Sequence, residues 1–369
     1  MMKILLVGGG TSGHVLPALS VGHAILRKNP NNEILFVGSR KLSHRDIIEA
    51  AGFKFVGIPA GKLRRYWDWQ NFIDGFRILA GTITALGIIL RFRPDKIFIK
   101  GGYVGVPVGL AAWILRRPLI IHESDSRIGL ANRLLMPLAE KVCVSFPLDA
   151  YRVTKAVAKK LVHTGVPVND IFYQPEISNN TGIPFSEHKP FILIIGGSQG
   201  AQAINQVIKS ALPDLIQDYQ VLHLAGAHNF ADLKEWAEIE RFRNYYLFES
   251  LPNEQIAYLM RRAAVIVSRA GATTIAEIAA SARPAILIPL PGSASNHQLH
   301  NAEYLAAKGA AVVLEQDQLT PVTLQERIFK ILNSDLGPRL VFNIKSITQK
   351  DAADKIADLI LSDNNSDNN

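Results

Sequence analysis

The sequence has very little cysteine. Cys143 is the only one in 369 residues, so the chain can form no internal disulfide. A lack of disulfides is typical of reducing compartments, and the composition therefore predicts an intracellular protein. The length indicates two domains of ordinary size, because single cores rarely grow beyond about 250–300 residues.

Long hydrophobic runs are scarce as well. The apolar run Ile4–Val7 stops at three glycines and is too short for the core of a signal peptide, so it predicts a buried strand. The longest apolar stretch, Ile78–Leu90, has 13 residues, whereas a membrane span needs about 20. The sequence therefore predicts no transmembrane helix.

Acidic residues are few in the first half of the chain. Residues 1–163 hold 24 Lys and Arg but 10 Asp and Glu, a net charge of +14. The remaining residues hold 16 and 22, a net charge of −6. This asymmetry predicts that the first half meets an anionic partner, whether nucleic acid, acidic lipid or a phosphorylated substrate.

Both halves begin with the same pattern. The apolar runs Lys3–Val7 and Phe191–Ile195 end in the glycine loops GGGTSGH and GGSQGA, and each loop leads into a helical segment. Strand, glycine turn and helix form the opening unit of a doubly wound domain. The fold class predicted is therefore α/β, with two tandem Rossmann-like parallel-sheet domains. The other predicted strands are Ile34–Val37, Lys96–Ile99, Leu119–Ile121, Lys141–Val144, Gln220–Leu224, Tyr245–Phe248, Val265–Val267, Ala285–Ile288 and Ala311–Val313.

A segment rich in Pro, Asn, Gly and Ser, residues 165–190, places the boundary between the domains. We therefore expect a first domain over residues 1–164 and a second over residues 165–339. The polar end of the chain, residues 362–369, is expected to be disordered.

The first glycine loop predicts a phosphate-binding turn at a helix start. Gly8, Gly10 and Gly13 satisfy the dinucleotide pattern G-x-G-x-x-G. A nicotinamide site usually has an acidic residue at the end of the second strand, but that strand ends in Gly-Ser-Arg, which disfavours this cofactor. His14 follows the loop and is a candidate general base or phosphate ligand, or else a locally hydrogen-bonded residue.

The second glycine loop, Gly196–Gly200, also matches the nucleophile elbow G-x-S-x-G of α/β-hydrolases. A hydrolase would have one sheet, whereas this loop opens a second domain built like the first. We therefore expect Ser198 to bind a diphosphate through its hydroxyl and the neighbouring N–H groups.

Further polar loops follow predicted strands, at the sheet edge where ligands bind. In the first half these are Gly101-Gly102-Tyr103 and His122–Asp125, whose two acids without a third ligand are a weak metal signal. In the second half, Arg269 and the helix start that follows it can neutralise phosphate charge. Glu277 is predicted either to accept hydrogen bonds from sugar hydroxyls or to lie on a solvated helix face.

Aromatic and basic residues alternate around the apolar run of the first half, which indicates an interfacial membrane surface with anionic lipid. The segment resembles no familiar nucleic-acid-binding motif, so nucleic acid is not the expected partner. The residues predicted to meet the membrane are Trp67, Trp69, Phe72, Phe76 and Trp113.

Six motifs in this order resemble the MurG family: GGGTSGHVLPAL, GGYVGVP, HE followed by LANR, GGSQGA, SRAGATTIAE and HQLHNA. The resemblance covers nearly the whole chain. It implies two domains that face each other across a cleft, the GT-B glycosyltransferase fold, with a C-terminal helix over about residues 340–361 that returns to the first domain. It also implies a peripheral enzyme on the cytoplasmic face of the bacterial plasma membrane, which moves N-acetylglucosamine from UDP-GlcNAc to lipid I and makes lipid II for peptidoglycan.

The resemblance also assigns site residues. The catalytic candidates are His14 and Glu123. Donor contacts are implied for Thr11, Ser12, Gly13, Asp125, Asn169, Ser198, Arg269, Ala272, Thr273, Thr274, Glu277 and Gln298, and acceptor or phosphate contacts for Gly9, Gly10, Tyr103 and Asn132. The chain departs from the family pattern at four places: Ser12 in TGGH, Ser124-Asp125 in HEQN, Val166 and Asn169 in GNPVR, and His297 in the paired glutamines.

The expected reaction is a single displacement that inverts the anomeric centre. His14 is the first candidate for the base that takes the acceptor proton, and Glu123 is the second. Arg269 and the helix starts can offset the diphosphate charge, so neither a metal nor a cofactor is expected. Another UDP-sugar transferase such as a diacylglycerol glycosyltransferase, a UDP-sugar epimerase, or a non-catalytic sugar-nucleotide-binding module at the membrane remain as alternatives.

Overall fold

The structure is a computed structural model that describes residues 1–10, 12–40, 45–61, 69–174, 181–183, 186, 188–197 and 199–362, with only the backbone of residues 12, 70 and 71. The chain forms two compact units. The first comprises Met1–Val168 together with the residues from Asp351 onward, and the second comprises Asn169–Lys350.

The first unit is built on a seven-stranded parallel sheet in the order β3-β2-β1-β4-β5-β6-β7. Its strands are β1 (Lys3–Val7), β2 (Glu33–Ser39), β3 (Lys54–Ile58), β4 (Lys96–Ile99), β5 (Leu119–Glu123), β6 (Lys141–Val144) and β7 (Leu161–His163). The central strands are mostly apolar, with polar residues at their ends, because helices cover both faces of a parallel sheet. β1 pairs with β2 on one side and with β4 on the other, so the strand order reverses there.

Helices connect these strands. They are α1 (Ser12–Lys28), α2 (Arg45–Ala50), α3 (Gln70–Phe92), α4 (Gly105–Ile114), α5 (Leu130–Leu135) and α6 (Lys155–Ala158), with a 3-10 turn at Leu148–Ala150.

The second unit has a six-stranded parallel sheet in the order β10-β9-β8-β11-β12-β13. Its strands are β8 (Phe191–Ile195), β9 (Gln220–Leu224), β10 (Tyr245–Phe248), β11 (Val265–Ser268), β12 (Ala285–Leu287) and β13 (Val312–Val313). The order reverses between β8 and β11, as it does between β1 and β4 in the first unit. Two parallel-sheet domains confirm the predicted fold class.

The helices of the second unit are α7 (Gln202–Asp218), α8 (Phe230–Glu240), α9 (Asn253–Arg262), α10 (Ala272–Ser281), α11 (His297–Ala307), α12 (Pro321–Leu332) and α13 (Leu336–Ser346), with 3-10 turns at Asp170–Tyr173 and Ala294–Asn296. The last helix, α14 (Ala352–Leu361), belongs to the first unit.

Two strands, β3 and β7, were missed by the sequence analysis. Both lie at the edges of the first sheet, and most of their side chains are only partly buried. An edge strand needs fewer apolar residues than a central one, so its sequence pattern is weak.

Helix α3 is much longer than the apolar run inside it. By length and composition alone, its window Phe72–Phe92 is able to cross a membrane, and most of that window is not buried. The sequence analysis counted uninterrupted apolar residues and missed this long apolar helix because polar residues interrupt it. Asp74 is buried and forms an ion pair with Arg77 at 3.0 Å. The hydroxyl of Thr82 donates to the carbonyl of Ile78.

Helix α14 packs on α1. Ile356, Ala357 and Ile360 are buried in the core that lies on this face of the first sheet. Exposed ion pairs from Arg27 to Asp354 (3.1 Å) and from Lys28 to Asp358 (2.8 Å) flank the contact.

Candidate functional site

In the first unit, the loops after β1 and β4 meet where the strand order reverses. A Cβ atom added to Gly10 would lie 2.7 Å from Cε1 of Tyr103, and one added to Gly102 would lie 3.0 Å from Cδ2 of His14. Gly10 has a φ of 100°, a conformation that glycine adopts without strain. Ligands of open α/β sheets bind at this point, and the fold brings Gly9, Gly10, His14 and Tyr103 together there.

His14 lies in the first turn of α1 and is partly buried. This turn holds no acidic side chain, so the positive end of the helix dipole is not offset within it. The position of His14 is compatible with both predicted roles, a proton acceptor or a phosphate contact.

Glu123, at the end of β5, is buried and held by three hydrogen bonds. Oε1 accepts from the backbone N–H of Asp125 at 3.1 Å, and Oε2 accepts from the N–H of Gly129 at 2.8 Å and from Nδ2 of Asn132 at 3.0 Å. Burial, followed by the charge of Asp125, raises the pKa of Glu123 to about 7, against the effect of these hydrogen bonds. The carboxyl group therefore changes its charge near neutral pH and has a fixed orientation.

The neighbours of Glu123 fix the loop that follows β5. Nδ2 of Asn132 also donates to the carbonyl of His122 at 2.9 Å, and the hydroxyl of Tyr151 donates to the carbonyl of Asp125 at 3.2 Å. Nε2 of His122 lies 2.8 Å from the carbonyl of Gly165 and must donate to it. Burial, followed by the charge of Lys100, lowers the pKa of His122 well below its usual value, so this imidazole is neutral.

Lys100 is a site residue that the sequence analysis missed. It follows β4 directly, is fully buried, and donates a hydrogen bond from Nζ to the hydroxyl of Ser124. The signal in the sequence was a lysine between an apolar strand and two glycines, at the edge of the sheet where the other candidates lie.

In the second unit, the loops after β8 and β9 are in close contact. Gly200 has a φ of 91°, and a Cβ atom added to Gly226 would lie 2.2 Å from the backbone nitrogen of Gly200. Below this loop, His223 lies 2.9 Å from both the hydroxyl of Tyr245 and Oδ1 of Asn205, and Nδ2 of Asn205 donates to the carbonyl of Ala225. Sequence reasoning missed this buried network because its members are far apart in the chain.

Arg269 follows β11 and fixes a neighbouring loop. Its guanidinium group donates to the carbonyls of Ile288 (3.2 Å) and Pro289 (3.3 Å) and to Oε1 of Gln316 (2.8 Å). These bonds hold the segment after β12 beside the start of α10. Arg269 can therefore affect a bound phosphate in two ways, through its positive charge and by holding the segment after β12 in place.

The first turn of α10 contains Ala272, Thr273 and Thr274 and has no acidic side chain. Its N–H groups and dipole favour an anion. One turn later, burial raises the pKa of Glu277 to about 8. Glu277 is only partly exposed, which disfavours the alternative of a fully solvated helix face.

Two other predicted donor residues shape loops. Oε1 of Gln298 accepts from the N–H of Leu290 at 3.0 Å and so closes the turn before α11. Within that turn, Ser295 and Asn296 have φ values of 57° and 52°, a left-handed conformation that costs free energy in residues other than glycine. Asn169 caps the 3-10 turn at Asp170–Tyr173 by accepting from the N–H of Ile171 at 3.0 Å.

Four of the predicted membrane residues are described, and all four are exposed. Trp69 lies just before α3, Phe72 and Phe76 lie on its first turns, and Trp113 lies on α4, which packs against α3. The fifth, Trp67, lies outside the described residues. The same holds for Thr11, for Ser198 and for the side chain of Ser12.

Comparisons with known proteins agree with this two-domain fold. Residues 4–144 match the glycosyltransferase family 28 N-terminal domain, and residues 191–359 match the glycosyltransferase family 28 C-terminal domain. The first match spans the first sheet from β1 to β6, and the second match spans the whole second sheet. Together they define a two-domain glycosyltransferase.

Curated relatives indicate which kind of glycosyltransferase the chain resembles. The UDP-N-acetylglucosamine–N-acetylmuramyl-(pentapeptide) pyrophosphoryl-undecaprenol N-acetylglucosamine transferase of Lachnoclostridium phytofermentans is 37% identical over 98% of each chain, and that of Clostridium tetani is 34% identical over 97% of each chain. The crystal structure of Acinetobacter baumannii MurG superposes with a TM-score of 0.75 at 27% identity, over 98% of this chain and 99% of that one. The chain belongs to the MurG family.

The fold is shared more widely. UDP-GlcNAc 2-epimerase from Neisseria meningitidis, bound to UDP-GlcNAc, superposes with a TM-score of 0.70 at 14% identity, over 98% of this chain and all of that one. At this identity the likeness concerns the fold alone.

Proposed function

We propose that this protein transfers N-acetylglucosamine from UDP-GlcNAc to the 4-hydroxyl of the muramoyl sugar of lipid I, which gives lipid II for peptidoglycan synthesis. The observation that carries the proposal is the buried, hydrogen-bonded carboxyl of Glu123 at the carboxyl end of β5 in the first unit. It occurs in a chain that is 37% identical, over 98% of its length, to a named N-acetylglucosaminyltransferase.

The second unit supplies the donor site. The N–H groups at the start of α10 and in the glycine loop after β8 are suited to bind the diphosphate. Both lie at the carboxyl ends of parallel strands, where ligands of open α/β sheets bind. Glu277 would accept hydrogen bonds from the ribose hydroxyls, and Gln298 holds the turn before α11. Arg269 adds positive charge to the same region.

The first unit supplies the base. The acceptor oxygen forms a bond to C1 of the donor sugar, the bond from C1 to the diphosphate oxygen breaks, and UDP leaves with the electron pair. The acceptor proton passes to Glu123 or to His14. Glu123 is favoured because a base works best when its pKa lies near the working pH, and its pKa is about 7. Gly9, Gly10, Tyr103 and Asn132 line the same edge of the sheet and would contact the acceptor.

The membrane contact belongs to the first unit. The outward face of α3 carries Phe72, Phe76, Leu79 and Ile83, all exposed. Exposed cations lie at its far end, among them Arg91 and Arg93. An apolar face with cations beside it binds anionic membrane surfaces. The protein would thus act as a peripheral enzyme on the cytoplasmic side of the bacterial membrane, where a lipid-linked acceptor is reached.

The test is sugar transfer with purified protein. Radiolabelled UDP-GlcNAc or UDP-glucose is supplied with a lipid I analogue, and the lipid fraction is counted. We expect label from UDP-GlcNAc far in excess of label from UDP-glucose. Transfer to diacylglycerol, formation of the C2 epimer of the donor sugar, or UDP binding without turnover would contradict the proposal and point to one of the alternative functions.

A further inference from the structure

Lys100 is a buried cation next to the candidate base. Its backbone N–H donates to the carbonyl of Val7 at 2.9 Å, which ties the end of β4 to the end of β1. Its side chain reaches the hydroxyl of Ser124, between Glu123 and Asp125. A lysine is almost never fully buried unless it is paired, so the position calls for a partner of opposite charge.

The titratable groups that face Lys100 come from two neighbouring strands. Glu123 and Asp125, at the end of β5, stabilise its protonated form, and so does Cys143 on β6 to a smaller extent. His122 also faces it, and His14 faces His122. Burial has the opposite and larger effect and lowers the pKa of Lys100 to about 8, so the ammonium form still dominates at neutral pH.

Two of the titratable groups around Lys100 are neutral. His122 is neutral because burial keeps its pKa low, and burial raises the pKa of the Cys143 thiol to about 12, so the thiol is neutral too. The members that interact as charges are therefore the ammonium group of Lys100 and the carboxyl groups of Glu123 and Asp125. Interaction between charges is mutual: if the carboxylates favour protonated Lys100, then protonated Lys100 favours the carboxylates by the same free energy.

We propose that Lys100 is a positioning residue for the reaction: its ammonium group holds Ser124 and balances the negative charge of Asp125, so that Glu123 can act as a carboxylate. The inference rests on the proposed function, in which Glu123 is the favoured base. Lys100 acts through Glu123 and needs no contact with substrate.

The experiment is the pH dependence of kcat/KM for sugar transfer in Lys100→Met, which removes the charge and keeps the length of the side chain. We expect the acid limb to move upward by about 1–3 pH units, the effect of removing an opposite charge near a carboxyl group. At pH 7 this lowers kcat/KM by about fivefold to 500-fold, while the variant approaches the wild type at high pH. Lys100→Arg keeps the charge, and its acid limb should stay close to that of the wild type.

Two comparisons exclude a purely structural effect. Asp125→Asn combined with Lys100→Met removes one negative charge together with the positive one, and the acid limb should return toward the position seen in Asp125→Asn alone. Lys96→Met is the matched control, because Lys96 is a buried lysine on the same strand that pairs with Glu140 at 3.4 Å; its acid limb should not move. An equal loss of activity at every pH in Lys100→Met, or a double variant no better than the single one, would overturn the inference.

A second readout separates this inference from the proposed function. The ionisation of Glu123 can be followed by NMR of carboxyl-labelled protein without any substrate, with Glu123→Gln to assign the signal. A higher Glu123 pKa in Lys100→Met supports the role of Lys100 even if no acceptor is ever glycosylated. An unchanged pKa rejects that role even in an active enzyme. Circular dichroism of Lys100→Met and Lys100→Arg verifies that the folded state is being measured.

Discussion

Two carboxyl groups, Glu123 and Glu277, titrate near neutral pH for a common reason. Burial is the largest cause of the raised pKa in each. Their surroundings differ, however: Glu123 already accepts hydrogen bonds from Asp125, Gly129 and Asn132. Glu277 lies one turn into α10, at the candidate nucleotide site. The first suits proton transfer and the second suits ligand binding.

Glu123→Gln should lower kcat by about 10²–10⁴, the usual contribution of a general base, with UDP affinity unchanged. In the wild type, Glu123 is protonated below its pKa of about 7, so kcat/KM should fall about tenfold for each pH unit below that value. The measurement is initial transfer rate against pH, with UDP binding by calorimetry as the control.

His14→Ala separates the two candidate bases. If Glu123 is the base, the acid limb near pH 7 persists in this variant although the rate falls. Loss of that limb would assign the proton transfer to His14 instead. Near-normal turnover with an unchanged pH profile would show that His14 has no catalytic role.

UDP binding should release a proton at Glu277. Hydrogen bonds from the ribose hydroxyls favour the carboxylate, and the pKa of the free group is about 8, so UDP affinity should rise as the pH increases toward 8. Calorimetry in two buffers of different ionisation enthalpy measures the released proton. Glu277→Gln should abolish the release and weaken binding. Glu235→Gln, an exposed acid on α8, should change neither, and proton release that persists in Glu277→Gln would refute the assignment.

At the scale of the element, α3 has two different faces. Its inner face packs on the first unit, where Ala85 and Ile89 are buried and a Cβ atom added to Gly81 would lie 2.2 Å from the carbonyl of Pro59. Its outer face is apolar and exposed. Because the helix is tied to the domain along one side, we expect it to lie in the membrane interface and not to cross the bilayer.

Phe76→Asp should reduce binding to vesicles that contain anionic lipid. Removing one buried phenylalanine from an interface costs about 1.5–3 kcal/mol, a fall in partitioning of roughly tenfold or more. Sedimentation with vesicles measures it. Phe342→Asp on α13 is the matched control, because Phe342 is 77% exposed and Phe76 is 73% exposed. Equal binding by the two variants would show that α3 is not the membrane surface.

At the scale of the whole molecule, the chain returns to its first unit at the end. Residues from Asp351 onward belong to that unit, and α14 contributes Ala353, Ile356, Ala357 and Ile360 to its core. The first unit is therefore complete only after the second has been synthesised, and its stability depends on α14.

Ile356→Ala should lower the free energy of unfolding of the first unit by about 2–5 kcal/mol, because it leaves a cavity at a fully buried position. Urea unfolding followed by hydrogen exchange reports each unit separately. Ile239→Ala on α8 is the control, since Ile239 is 71% exposed, and it should change stability by less than about 0.5 kcal/mol. Comparable stability of the two variants would mean that α14 is dispensable.

The sequence by itself determined the α/β class, the central strands of both sheets and the family, since apolar runs followed by glycine loops encode local structure directly. The tertiary structure alone decided which distant residues meet: Lys100 beside Ser124, Asn132 on Glu123, Arg269 on the carbonyl of Ile288, and α14 on α1. It also decided the charge of the carboxyl groups, because burial sets their pKa and burial depends on contacts between residues far apart in the chain.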